Sequence, residues 1–297
     1  MVKKIITPFL LFILILAGCG NGASEDTLVI SGKKWTEQYI LPYILGEYIK
    51  ANSDYDVKVE EALGEVNVLT KAMKSGDIDM YVEYSGTGYL AVLKEKYDPN
   101  QTAEEIYQAT KKGYKEELDM IWLPPLGFEN TYAMAMREET YNKVGVKKLS
   151  ELAAKSNQLI FGAPPEFYER ADGYDPFVEK YGLNFKSAES LDPNLMYTAV
   201  KNGDVDLISG FTTDGRIARF NLKVLEDDKN FFPPYYAAPV IRKEALEKFP
   251  EVEKLMKELA GKISSEEMSE MNAEVDIDEK EPKDVAIEFL KKEGLID

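Results

Sequence analysis

From Leu28 onward, runs with a period of two alternate with runs of helical period. "TLVISGK" is a short β-rich run. "TEQYILPYILGEYIKAN" places its apolar residues at helical spacing, with Thr36 as the expected N-cap. "YDVKVEEAL" reads as the next strand, "EVNVLTKAMKSG" as a helix closing on Gly76, and "IDMYVEY" as a strand. "TAEEIYQATKKGYKEEL" is a further amphipathic helix. A second series follows, with "TYAMAMR", "QLIFGAP" and "VDLISGF" as strands and "LSELAAKS", "PFVEKYGL" and "NLMYTAVKNG" as helices. From Lys243 the chain is charged and helical, closing with "VAIEFLKKEGL". Strands interleaved with helices predict an α/β fold built on mostly parallel sheet, with helices on both faces.

One unit is written twice. "AMKSGDIDMYVEYSGTGY" (72–89) and "AVKNGDVDLISGFTTDG" (199–215) share Ala, Lys, Gly, Asp and Asp in step at an offset of 127 residues. The same offset sets Tyr84 on Phe211. Each copy is a helix end, a Gly-Asp turn, a short strand and an aromatic. The pairs Asp77/Asp79 and Asp204/Asp206 could in principle serve hydrolysis, but each follows a glycine in a helix-to-strand turn, where Asp is ordinary turn chemistry. In open α/β sheets ligands sit at the carboxyl ends of strands, where each copy presents its ring.

The first residues bear on compartment. Lys3 and Lys4 precede an apolar run, Ile5 to Ala17, shorter than the ~20 residues of a spanning helix. It reads as an export signal whose Leu16-Ala17-Gly18-Cys19 ending is a lipobox, with residues 1–18 removed and Cys19 lipidated. Cys19 is the sole cysteine of 297 residues and has no internal disulfide partner. Residues 19–27 then form a polar tether. The net charge of −17, or −19 without Lys3 and Lys4, argues against nucleic acid. With no histidine, Ser-His and Cys-His pairs and the commonest metal ligand are excluded. No metal or cofactor is implied, and the chain is not expected to be an enzyme.

Four segments set aromatics beside Gly, Pro, Ser or Thr: "VEYSGTGY", "GFENTYAMAM", "SGFTTDGR" and "FFPPYYAAP". A box of ring faces suits a quaternary ammonium, which has no N–H for a carboxylate to engage. Trp35, one residue before Thr36, reads as a hydrophobic staple onto Ile40 rather than a box member.

With "SGKKWTEQYIL", "YVEYSGTGY", "GFENTYAMAMR", "APPEFYERADG", "GFTTDGR" and "NLKVLEDDKNFFPPYYA" in order, the chain resembles the substrate-binding lipoproteins of osmoprotectant ABC importers. The resemblance implies a two-lobed class II periplasmic-binding-protein fold with two crossovers between lobes. The lobes are expected over 28–127 with 232–297, and over 128–231. It further implies an aromatic cage of Tyr84, Tyr132, Phe211 and Tyr235, with Phe211 standing where relatives usually carry Tyr. Asn130, in place of an Asp of some relatives, stands at the cage edge. Lys33, Thr87 and Arg170 are the implied partners of a ligand carboxylate, a chemistry that suits the Arg fork, the Lys charge and the Thr hydroxyl. Their presence favours a betaine over choline, which has a hydroxyl there instead; glycine betaine or proline betaine is the expected ligand, with a choline or carnitine receptor as the alternative. The expected protein is a monomeric, lipid-anchored receptor outside the cell membrane that serves an ABC permease and its ATPase. A surface-anchored hydrolase of choline esters is the competing class.

Overall fold

The computed structural model describes residues 27–60 and 62–297; the export signal, Cys19 and the tether up to Asp26 lie outside the described residues. In the first part of the chain the strands are β1 (Thr27–Ile30), β2 (Asp56–Val59), β3 (Met80–Tyr84) and β4 (Met120–Trp122). Then come β5 (Tyr132–Met136), β6 (Ile160–Ala163), β7 (Ser187–Ser190), β8 (Leu207–Phe211) and β9 (Lys223–Val224), and last β10 (Ala237–Arg242). They form two five-stranded sheets, ordered β2-β1-β3-β10-β4 and β7-β6-β8-β5-β9. The chain thus passes from the first sheet to the second between β4 and β5, and returns between β9 and β10. This is the two-lobed α/β architecture expected, with two crossovers.

The sheets are less parallel than expected. β1–β2, β1–β3, β6–β7 and β6–β8 are parallel, but β10 runs antiparallel to β3 and β4, and β5 antiparallel to β8 and β9. The reversed strands are the two that the chain enters on crossing from the other lobe, where no covering helix sets the direction. Three elements also differ. The helix Thr36–Asn52 takes Trp35 as its N-cap, and the Thr36 hydroxyl, instead of capping, bonds Asp276 Oδ1 at 2.6 Å. "LSELAAKS" forms two short 3₁₀ turns, Leu149–Glu151 and Ser156–Gln158, rather than one helix. β7 ("SAES") is polar and largely exposed, so no apolar alternation announces it.

The repeated unit is one piece of structure built twice. The helices Val66–Ser75 and Pro193–Asn202 each end on a left-handed glycine, Gly76 (φ 81°) and Gly203 (φ 91°), a conformation costly for side-chain-bearing residues. Each turn feeds the third strand of its sheet order, β3 or β8. The C-terminal helices Glu251–Leu259, Ser265–Asp276 and Pro282–Lys292 pack on Thr36–Asn52. Ser265–Asp276 also packs on the short helix Gly215–Arg219 of the second lobe and so spans both.

Candidate functional site

Both copies of the repeat end facing the other lobe, and their rings meet there. Phe211, last in β8, lies directly opposite Tyr132, first in β5, with ring centroids 5.4 Å apart. Tyr235, two residues ahead of β10, meets Tyr132 edge-on at 5.9 Å. Phe232 and Phe167 close round Tyr132 at 4.9 and 5.0 Å. Tyr84, last in β3, joins this group through Trp35. The indole stacks on Tyr84 at 6.1 Å and on Phe211 at 5.9 Å, nearly parallel to both. This corrects the staple reading: a staple needs the residue ahead of the N-cap, and Trp35 is itself the N-cap. As the cap, it points its ring at the second lobe.

The three expected carboxylate partners are buried, and two of them touch. Arg170 Nη2 lies 3.4 Å from Thr87 Oγ1, a contact between lobes. The Arg170 fork is bidentate on Asp172, with Nε–Oδ1 at 2.7 Å and Nη2–Oδ2 at 2.6 Å, and its Nη1 reaches Glu166 Oε1 at 3.3 Å. Burial works against the Arg170 charge, but the surrounding Tyr132, Asp172 and Tyr235 more than offset it, so its pKa is raised. The Tyr235 hydroxyl donates to the same Asp172. Lys33 is apart from this group. Its ammonium pairs with Glu83, which is fully buried, and lies 5.0 Å from the Tyr84 ring centroid and 5.2 Å from that of Trp35. Each cation thus already has a resident carboxylate.

Asn130 Nδ2 donates to Glu37 Oε1 at 3.1 Å. Glu37 also takes the Tyr84 hydroxyl at 2.5 Å, and Gln38 Nε2 donates to that hydroxyl at 3.0 Å. Beside the rings opens a cavity of about 360 Å³. Trp35, Tyr132 and Phe211 line one side, and Glu65, Glu166 and Asp192 bring acids to it. Burial, then the charge of Glu166, push the Glu65 carboxyl up to about 8.

Glu37, Glu83, Asp172 and Trp35 were not singled out as site residues from sequence. Asp172 could have been, two residues after Arg170 in "ERADG". Glu83 and Glu37 are hidden among 53 acidic residues and lie 50 and 47 positions from the partners they serve.

Residues 26–292 match the model of the substrate-binding domain of ABC-type glycine betaine transport systems. The chain belongs to that family. The carnitine transport binding protein of Listeria monocytogenes is 38% identical, covering 98% of this chain and 97% of its own. A Helicobacter pylori protein named as an ergothioneine transport permease and binding protein is 34% identical, over 99% of this chain and 53% of its own length. A crystal structure described as a glycine betaine/carnitine/choline ABC transporter superposes with a TM-score of 0.75 at 35% identity, covering 91% of this chain and all of that one. The family member described here is an extracytoplasmic binding component of an ABC importer for ligands of this type. The two relatives just named carry the names of transport proteins. No helix among the described residues is long and apolar enough to cross a membrane.

Proposed function

We propose that this protein captures a carboxylated quaternary ammonium, glycine betaine before others, and hands it to an ABC permease driven by an ATPase. The observation that carries this is the contact of Arg170 with Thr87 across the lobes, beside rings drawn from both. Ring faces from Tyr84, Tyr132, Phe211 and Tyr235 attract the ammonium, each by ~0.5–2 kcal/mol depending on desolvation. Arg170 and Thr87 receive the carboxylate. The Arg170–Glu166 contact at 3.3 Å is longer than either bond to Asp172, and a ligand carboxylate would replace it. The lobes divide as 28–127 with 232–297, and 128–231. The chain works as a monomer tethered through a lipid on Cys19. Cys19→Ala would then leave the membrane fraction or stay unprocessed, and a normally trimmed, membrane-bound variant would refute the anchor.

A larger betaine such as carnitine or ergothioneine is a second reading, favoured by the cavity of about 360 Å³ contiguous with Trp35, Tyr132 and Phe211. Calorimetric titration of the soluble fragment 24–297 with glycine betaine, choline, carnitine and ergothioneine separates the two. Tightest binding of glycine betaine supports the first, and tightest binding of a larger betaine the second. Binding of none refutes both.

A further inference from the structure

Glu37 lies on the first-lobe helix Thr36–Asn52 and is 1% exposed. Its two oxygens collect four donors from four separate parts of the chain. Oε1 takes the Tyr84 hydroxyl at 2.5 Å and Asn130 Nδ2 at 3.1 Å. Oε2 takes Thr213 Oγ1 at 2.5 Å and Asn272 Nδ2 at 3.2 Å. Tyr84 ends β3 of the first lobe, Asn130 sits on the first crossing segment, Thr213 follows β8 of the second lobe, and Asn272 is on the bridging helix Ser265–Asp276. All four donors are neutral. Burial raises the carboxyl pKa, and the bonds from Thr213, Tyr84, Asn272 and Asn130 pull it only part of the way back, so it stays raised.

A carboxylate out of water costs several kcal/mol unless its lone pairs are met, and charge-assisted bonds are about twice as strong as neutral ones. Losing any one donor is therefore expensive. Thr213 is the donor that leaves when the second lobe swings away, because the other three stay with the first lobe or with segments tied to it. Asn272 also donates to the Thr213 carbonyl at 2.9 Å, so the same lobe movement strains two bonds. On the opposite oxygen, Glu37 sets the tilt of the Tyr84 ring through its hydroxyl, and Tyr84 is the ring against which Trp35 and then Phe211 stack.

We propose that Glu37 is a positioning residue that ties the Tyr84 ring to lobe closure through Thr213, and that its uncompensated charge makes the assembled ring cluster selective for cations. The charge selectivity rests on the ligand class proposed above; the tie between lobes does not.

Two variants test it: Glu37→Gln, which keeps shape and loses charge, and Thr213→Val, which keeps shape and loses the donor. Small-angle scattering of the ligand-free proteins should give a larger radius of gyration for both variants than for wild type, with thermal unfolding still cooperative. Titration with choline chloride and with glycine betaine adds a readout that a merely structural role would not move. Choline carries a net charge and glycine betaine does not, so Glu37→Gln should lose about tenfold for choline and about threefold for glycine betaine. Thr213→Val should weaken both ligands alike. Coincident scattering curves overturn the tie between lobes, and equal losses in Glu37→Gln overturn the charge selectivity. If Glu37→Gln fails to fold, Thr213→Val decides the tie. If wild type binds neither ligand, the functional reading and the charge selectivity fall together, and scattering still judges the tie.

Discussion

Asp79 and Asp206, 127 positions apart, occupy equivalent places in the two lobes and make the same pair of contacts. One carboxylate oxygen of Asp79 accepts the Val29 backbone N–H at 2.9 Å and the other pairs with Arg242 at 2.7 Å. Asp206 accepts the Ile160 N–H at 2.9 Å and pairs with Arg137 at 3.3 Å. Each stitches the turn before a central strand to the neighbouring strand and to an arginine at the end of a reversed one, Arg242 closing β10 and Arg137 following β5. Asp79 and Asp206 thus hold the same structural place in both copies.

Asp79→Ala would strand the Val29 N–H, a buried donor, and leave the Arg242 guanidinium with its Glu244 contact at 3.0 Å. An unsatisfied buried donor costs ~1–3 kcal/mol, more beside a charge. The Asp206 pair is more exposed and longer, so Asp206→Ala should cost less. Urea unfolding of both single variants measures the two losses. An Asp206→Ala loss as large as that of Asp79→Ala would contradict the ranking by burial.

Ring removal should weaken binding more than hydroxyl removal at Tyr132, and Tyr84 and Tyr235 should behave differently. Tyr132→Ala removes a ring at the centre of the cluster and should cost on the order of 1–3 kcal/mol of ligand binding, while Tyr132→Phe costs little. The Tyr84 hydroxyl is bound to Glu37 and Gln38, and that of Tyr235 to Asp172. Phe at either position therefore leaves a buried carboxylate short of a donor, and its cost should approach that of Ala. Titration of the six variants checks the pattern; equal Phe and Ala losses at Tyr132 would make its hydroxyl the binding group.

Much of this was legible in the chain, for identifiable reasons. The strand ends bearing Tyr84, Tyr132 and Phe211 follow from period-two runs bounded by Gly, Ser and Thr, and the two lobes from the family resemblance. The reversed direction of β5 and β10 was not, because strand direction is set by which lobe the chain arrives from. Nor was the place of Trp35: a one-residue change in where the helix starts turned a residue read as packing into a bridge between Tyr84 and Phe211. The buried acids Glu83 and Glu37 were invisible for another reason. Their partners are distant in sequence, and burial is what gives an acidic residue a role that composition cannot.

Stability should fall as pH rises through the neutral range because of Glu65. Its folded carboxyl is pushed up to about 8 from an ordinary 4.5, by burial and by Glu166, with Lys33 acting in the other direction. Between those values the folded state holds a proton that the unfolded state has lost, so the contribution is whole below about 4.5 and is lost as pH climbs through about 8. Glu65→Gln removes this dependence and should stabilise the protein by on the order of 1 kcal/mol at pH 8.5 relative to pH 5. Denaturant unfolding of wild type and variant at both pH values tests the sign; a wild type that gains stability over this range relative to Glu65→Gln would reverse it.

Arg170 should decide between a betaine and choline, and Asp172 makes the effect of removing it lopsided. In wild type, glycine betaine presents its carboxylate to Arg170 and Thr87, whereas choline offers the same groups a neutral hydroxyl. Glycine betaine should therefore bind at least about tenfold more tightly, a gap of about 1.4 kcal/mol. Arg170→Ala does more than delete a donor. Asp172 is 3% exposed and holds two of the guanidinium's bonds, so the variant leaves a buried carboxylate near the site that keeps the Tyr235 hydroxyl but loses its counter-charge. That charge repels the carboxylate of glycine betaine and attracts the ammonium of choline. The variant should therefore lose glycine betaine affinity sharply while choline binding holds or tightens, and the double variant Arg170→Ala/Asp172→Asn should recover part of the betaine loss. Titration of both ligands against the three proteins measures this. Parallel losses for the two ligands in Arg170→Ala would place the ligand carboxylate somewhere other than Arg170.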